Sequence, residues 1–123
     1  MAQTKVILTD GNDNWYSPSD TDFEIHASGG DDYIKRSQSS SGDDTIYGGG
    51  GNDFIASGGG FDNVDGGDGN DEIWAEGRGS LSGGKGDDLI HAAGESFFVS
   101  GGDGNDYIVS NADQAWIWGG NGD

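Results

Sequence analysis

Large apolar residues recur along this chain at a step of about nine. They stand at Trp15, Ile25, Ile34, Ile46, Ile55, Val64, Ile73, Leu81, Ile90, Val99, Ile108 and Ile117. The exceptions to nine are Trp15 to Ile25 at ten, Ile34 to Ile46 at twelve and Ile73 to Leu81 at eight. The step of twelve marks a three-residue insertion near Arg36–Gln38. Each apolar residue centres a three-residue strand after a six-residue turn, and alternation turns the middle side chain inward and its neighbours outward. The stretches between are rich in glycine and acids, the composition of tight turns. A single turn-and-strand unit buries nothing. Stacked units form a solenoid with a thin aliphatic core.

The turns repeat as well. "GGGGNDFIA" at 48–56, "GGDGNDEIW" at 66–74, "GGKGDDLIH" at 83–91 and "GGDGNDYIV" at 101–109 all fit GGxGxDxUx, where U is a large aliphatic residue. "ASGGDDYIK" at 27–35, "SSSGDDTIY" at 39–47 and "SGGGFDNVD" at 57–65 are degraded copies, and "GGNGD" at 119–123 is a truncated one.

Composition narrows the chemistry. The chain has 123 residues, 26 glycines, one proline, no cysteine and a net charge of −18. A disordered acidic chain has such a composition, but disorder gives no reason for the apolar register. The charge sets the chain against nucleic acid and anionic membranes and toward cations. Zero cysteine excludes disulfides and thiolate zinc sites. No apolar run is long enough to span a membrane, and the opening "MAQTKVILTDGND" lacks a signal-peptide core. Each loop offers a carboxylate and several glycine-exposed carbonyls. Calcium takes six to eight such hard oxygens, whereas magnesium demands a small octahedron and holds its water. The repeat supplies no thiolate or patterned histidine for a softer metal.

These motifs resemble the repeats-in-toxin (RTX) calcium-binding nonapeptide family. The resemblance implies an all-β, right-handed parallel β-roll (β-solenoid) with two nonapeptide repeats per coil. One domain would span residues 1–123, with residues 1–9 as a capping strand and 119–123 as a truncated final repeat. The full motifs start at 48, 66, 83, 101 and 119, at spacings of 18, 17, 18 and 18, so all stack on one side. The copies starting near 39, 57, 75, 92 and 110 take the other side and lose their aspartate toward the C-terminus.

By the same resemblance, several calcium ions lie between successive loops of one side. Gly48, Gly50 and Asp53 face Gly67, Gly69 and Asp71. Gly66, Asp68 and Asp71 face Gly84, Gly86 and Asp88. Gly83, Lys85 and Asp88 face Gly102, Gly104 and Asp106, and Gly101 and Asp103 open the next set. Asp68, Lys85 and Asp103 contribute backbone oxygen only. Asp32 extends this column, and Asp44 with Asp62 forms one site on the other side. Arg78 falls where the degraded side has lost its acid, so its guanidinium is expected to answer Asp62 in place of an ion.

The implied function is a calcium-binding module that folds on its ions outside the cell, as the structural part of a secreted protein of a Gram-negative bacterium. A type I export machinery would carry it, a route that uses no N-terminal signal. An alternative is a carbohydrate-binding module attached to a polysaccharide-modifying enzyme, for which only five basic residues are present. No spacing suggests a catalytic Ser/His/Asp set, and the repeat accounts for nearly all the aspartates, so no enzyme is expected. His26 and His91 occupy outward strand positions. Tyr33, Phe54, Trp74 and Tyr107 on one face, and Phe98, Trp116 and Trp118 on the other, fit either cross-strand packing or a docking surface for a neighbouring domain or glycan.

Overall fold

A computed structural model describes residues 3–122 of the chain. It contains ten strands: β1 (Thr4–Ile7), β2 (Asn14–Ser17), β3 (Phe23–His26), β4 (Tyr33–Arg36), β5 (Thr45–Tyr47), β6 (Phe54–Gly58), β7 (Phe61–Asp68), β8 (Glu72–Lys85), β9 (Leu89–Asp103) and β10 (Tyr107–Asn121). Every pairing among them is parallel. The result is the expected β-solenoid, with about seven turns.

The register is that of the apolar step. One wall stacks Val6, Ile25, Ile46, Val64, Leu81, Val99 and Ile117. The other stacks Trp15, Ile34, Ile55, Ile73, Ile90 and Ile108. Ile25, Ile34, Ile46, Ile55, Ile73, Leu81, Ile90 and Val99 are fully buried, and each such burial stabilises by about 1.5–3 kcal/mol. Ile117, on the last rung, remains 52% exposed. At the opposite end β1 pairs with β3 as the outermost rung of its wall.

Irregular steps have local causes. The step of eight appears as a register shift between Gly77 and Arg78, where β9 carries one more residue than β8. The step of twelve follows Arg36, where Ser40 turns back to Ser37 through its backbone N–H and its hydroxyl. One expectation fails. The strands of the last three coils are not three residues long: β8, β9 and β10 span 14, 15 and 15 residues. Their second-side loops carry no aspartate at the sixth position, and instead pair backbone to backbone, Ala75 with Ala92 and Ala92 with Ser110.

Glycine is required where the turns approach one another. Gly67 and Gly69 have φ of 95° and 114°, in the left-handed region that side chains disfavour. A Cβ on either would strike the carbonyl oxygen of the preceding coil, Gly49 O and Gly51 O respectively. Gly50, in contrast, has nothing within 4 Å of a built Cβ. Gly67→Ala is therefore expected to destabilise the folded chain by at least about 1–3 kcal/mol of backbone strain. Gly50→Ala should stay within roughly 0.5 kcal/mol. Denaturant melts of the two variants in saturating calcium check this, and equal midpoints would refute it.

Candidate metal centre

Two columns of loops run along the solenoid. The first comprises residues 8–13, 27–32, 48–53, 66–71, 83–88 and 101–106, each leading into a strand of the Trp15–Ile108 wall. The four full motifs thus stack together, as their spacing implied. Their sixth-position aspartates form a ladder. Oδ1 of Asp32, Asp53, Asp71, Asp88 and Asp106 accepts the backbone N–H of Asp13, Asp32, Asp53, Asp71 and Asp88 respectively, at 2.8–3.0 Å.

A second ladder, unread in the sequence, runs the opposite way through the fifth position. Asn12, Asp31, Asn52, Asn70 and Asp87 each accept the N–H of the fifth residue one coil later, at 2.7–2.8 Å. The signal was the recurrence of Asn or Asp there, the residues whose side chains cap turn backbones.

The remaining carboxylate oxygens have a different fate. Oδ2 of Asp32, Asp53, Asp71, Asp88 and Asp106 is buried and has no hydrogen-bond partner. Those of Asp53, Asp71, Asp88 and Asp106 lie in a recess left by a missing side chain. A Cβ on Gly66 would sit 2.5 Å from Asp71 Oδ2 and 2.7 Å from the carbonyl oxygen of Gly83 in the next coil. Gly48, Gly83 and Gly101 stand in the same relation to Asp53, Asp88 and Asp106. Asp13 differs: its Oδ2 accepts the N–H and hydroxyl of Thr9.

Electrostatics marks the same groups. Burial, followed by the charge of neighbouring carboxylates, pushes Asp53 and Asp88 up to about 6 and Asp71 to about 7. Asp32 is raised for the same first reason. A stack of buried carboxylates without a cation holds protons far above the ordinary carboxylate range.

The nominated backbone oxygens lie along these loops. The carbonyls of Lys85 and Asp103 accept the N–H of Gly69 and Gly86, which leaves each a second lone pair. Lys85, Asp68 and Asp103 have exposed side chains. Among the described residues no three acidic or histidine side chains converge. An ion here must therefore complete its shell with backbone oxygen, which suits a hard cation of high coordination number and not zinc or copper.

The second column is built otherwise. Asp62 Oδ1 accepts the N–H of Asp44, and Asp62 Oδ2 is buried without a partner. Burial pushes Asp62 up to about 8. Asp44 Oδ1 accepts the N–H of Phe23 at 2.8 Å, but its Oδ2 is bound by Nη1 of Arg36, and the side chains of both are fully buried. Beyond Asp62 the register continues to Gly79 and then Phe97. Phe97 is fully buried, so an aromatic ring stands where an aspartate would be. The expectation for Arg78 is overturned. Its guanidinium is exposed and lies 3.7 Å from Glu95, because the register shift at Gly77/Arg78 leaves it on the outside.

Exposed aromatics pack across rungs. Tyr33 stacks on Phe54, Trp74 on His91 and Phe98 on Trp116, with centroids 4.4–4.9 Å apart. His26 stacks on Tyr47 and pairs with Glu24. No helix of the described residues is long and apolar enough to cross a membrane.

No curated protein and no solved structure matches the chain. The family model described as the RTX calcium-binding nonapeptide repeat matches it in four copies, at residues 37–64, 57–77, 75–95 and 100–123. Those copies cover more than half of the chain, and the coils before residue 37 continue the same parallel register. With recessed carboxylates repeating from coil to coil, this chain belongs to the RTX calcium-binding nonapeptide repeat family: a calcium-binding structural module that takes several Ca²⁺ ions.

Proposed function

We propose that the chain is a folding module that becomes ordered on calcium outside the cell, within a secreted protein. The observation that carries this reading is the row of five buried, unpartnered Oδ2 atoms in the first loop column. Calcium supplies the positive charge and the many-oxygen shell that those carboxylates lack. Asp53, Asp71 and Asp88 each face two neighbouring coils and would be shared between successive positions, with Asp32 and Asp106 at the ends. Carbonyls of Gly48, Gly50, Gly66, Gly67, Asp68, Gly69, Gly83, Gly84, Lys85, Gly86, Gly101, Gly102, Asp103 and Gly104 complete the shells. On the second column Asp62 keeps a free oxygen, whereas Asp44 does not. RTX repeats typically occur in secreted proteins. A chain held loose by its charge at low calcium suits export in an unfolded state, by a type I route, into calcium-rich surroundings. The carbohydrate reading is weakened because Arg36, one of five basic residues, is buried.

Metal binding and folding are then one equilibrium. Circular dichroism in chelator should show a largely unstructured chain, and millimolar calcium should restore β-structure where equal magnesium does not. Identical spectra in chelator and calcium would falsify the reading.

Asp71→Asn keeps an oxygen for the Asp53 N–H and removes a charge shared by two positions. It should raise the calcium midpoint about tenfold or more, the scale of a roughly 1.4 kcal/mol loss. Asp113→Ala, at an exposed second-column position, should leave the midpoint within about twofold. Comparable shifts for the two variants would count against a first-column ion stack.

The pH dependence follows from the raised carboxyls. In the metal-free roll Asp53, Asp88, Asp71 and Asp62 sit at about 6, 6, 7 and 8. A proton bound more tightly in the folded state stabilises it fully below the ordinary carboxylate value, and that contribution fades as pH rises from about 4 through 8. In chelator, β-structure should therefore grow on acidification from pH 8 to pH 5. Calcium requires the ionised forms, so the calcium midpoint should move to higher concentration over the same interval. A titration series across these pH values, followed by circular dichroism, checks both directions. A midpoint indifferent to pH would contradict the assignment.

A further inference from the structure

The residue that opens each loop governs what stands beside the loop's aspartate. In the four full motifs of the first column that residue is Gly48, Gly66, Gly83 or Gly101, and any Cβ there would run into the Oδ2 of the same loop, whereas the two earlier loops open with Leu8 and Ala27. An opening side chain is therefore aimed at the cation position. In the second column the same place, two residues after the inward strand residue, is held by Arg36, which follows Ile34 at the end of β4 and precedes the insertion before residues 39–44.

Arg36 meets the same type of oxygen. Its Nη1 donates to Asp44 Oδ2, the counterpart of the five unpartnered atoms. Its Nη2 donates to the carbonyl oxygens of Ser19 at 2.6 Å and Thr21 at 3.1 Å, both from the loop one coil earlier. The guanidinium is thus caged by a carboxylate from its own coil and two carbonyls from the preceding one. It is 1% exposed, and its Cζ lies 4.8 Å from the centre of the Phe23 ring. The three-residue insertion falls here, with Gln38 and Ser39 exposed and Ser40 tucked back onto Ser37 beside the buried arginine.

We propose that Arg36 is a resident cation occupying the ion position between residues 17–22 and 39–44, so that Asp44 takes no calcium. The chemistry is matched. Both occupants are cations held by carboxylate and carbonyl oxygen drawn from two coils, the guanidinium through Nη1 and Nη2 while its Nε is left unpaired. They differ in that a guanidinium is always charged, stays covalently attached and presents directed donors. This junction between coils is therefore neutralised by the chain itself, at a cation position that calcium concentration does not control.

The proposal rests on the reading that calcium fills the first column, and its test separates the two. In the calcium-saturated wild-type chain, NMR should show the Arg36 Nη–H protons protected from exchange with water. Arg36→Gly recreates the opening glycine of the first column. By native mass spectrometry in saturating calcium, it should carry one ion more than the wild type, and Arg36→Gly/Asp44→Asn should lose that ion again. Rapid exchange at Arg36 in the loaded wild type would overturn the proposal. So would an unchanged ion count in Arg36→Gly, or failure of that variant to fold in saturating calcium. A wild-type chain that folds without taking up calcium would instead overturn the first-column reading, and this inference with it.

Discussion

The structure depends on the burial of carboxylates between coils. Each sixth-position aspartate of the first column uses one oxygen to hold the backbone of the preceding coil. That bond fixes the coil spacing and turns the second oxygen into a recess from which water is excluded. An ionised carboxylate in that position, without a counter-charge, loses several kcal/mol of hydration. The same geometry that joins the coils therefore demands a cation. With a net charge of −18, the chain cannot furnish enough of its own.

The two columns meet that demand differently. The first keeps its opening glycines, its recesses and its unpartnered oxygens. The second replaces them step by step: Arg36 beside Asp44, a lone Asp62, Gly79, and then the buried ring of Phe97. Where the acid is gone, the loops close by backbone pairing, so β8, β9 and β10 run unbroken around that side. One wall of turns is thus organised by electrostatics that external ions satisfy, the other by packing and internal charge. On the proposed reading, a roll built this way answers calcium along one edge, while the core between the two walls is apolar throughout.

The core is thin but continuous, an aliphatic ladder supplemented by Ala27, Ala75, Ala92 and Phe97. Paired rings outside it, such as Tyr33 on Phe54 and Trp74 on His91, add cross-rung contacts of the kind that stabilise neighbouring strands. On the last described rung the wall residue Ile117 is exposed, as are its neighbours Trp116 and Trp118.

Much of this was legible in the sequence. The step of nine places the core, because strand alternation leaves one inward residue per unit. The spacings of 18 and 17 place the full motifs in one column, because two units close a coil. The sixth-position aspartates followed from the same register. What the sequence alone left open was the partner of each group across coils. The fifth-position ladder joins residues 17–21 apart, and nothing in a single repeat shows which neighbour will accept its bond. The choice between Arg36 and Arg78 turned on the direction of a side chain at a loop corner. An insertion after Arg36 lets it fold inward, while a missing residue beside Arg78 turns it out. Local sequence set the repeat and its chemistry, whereas which oxygens meet at each junction was decided by the stacking of coils, since only stacking brings the oxygens of two loops around one point.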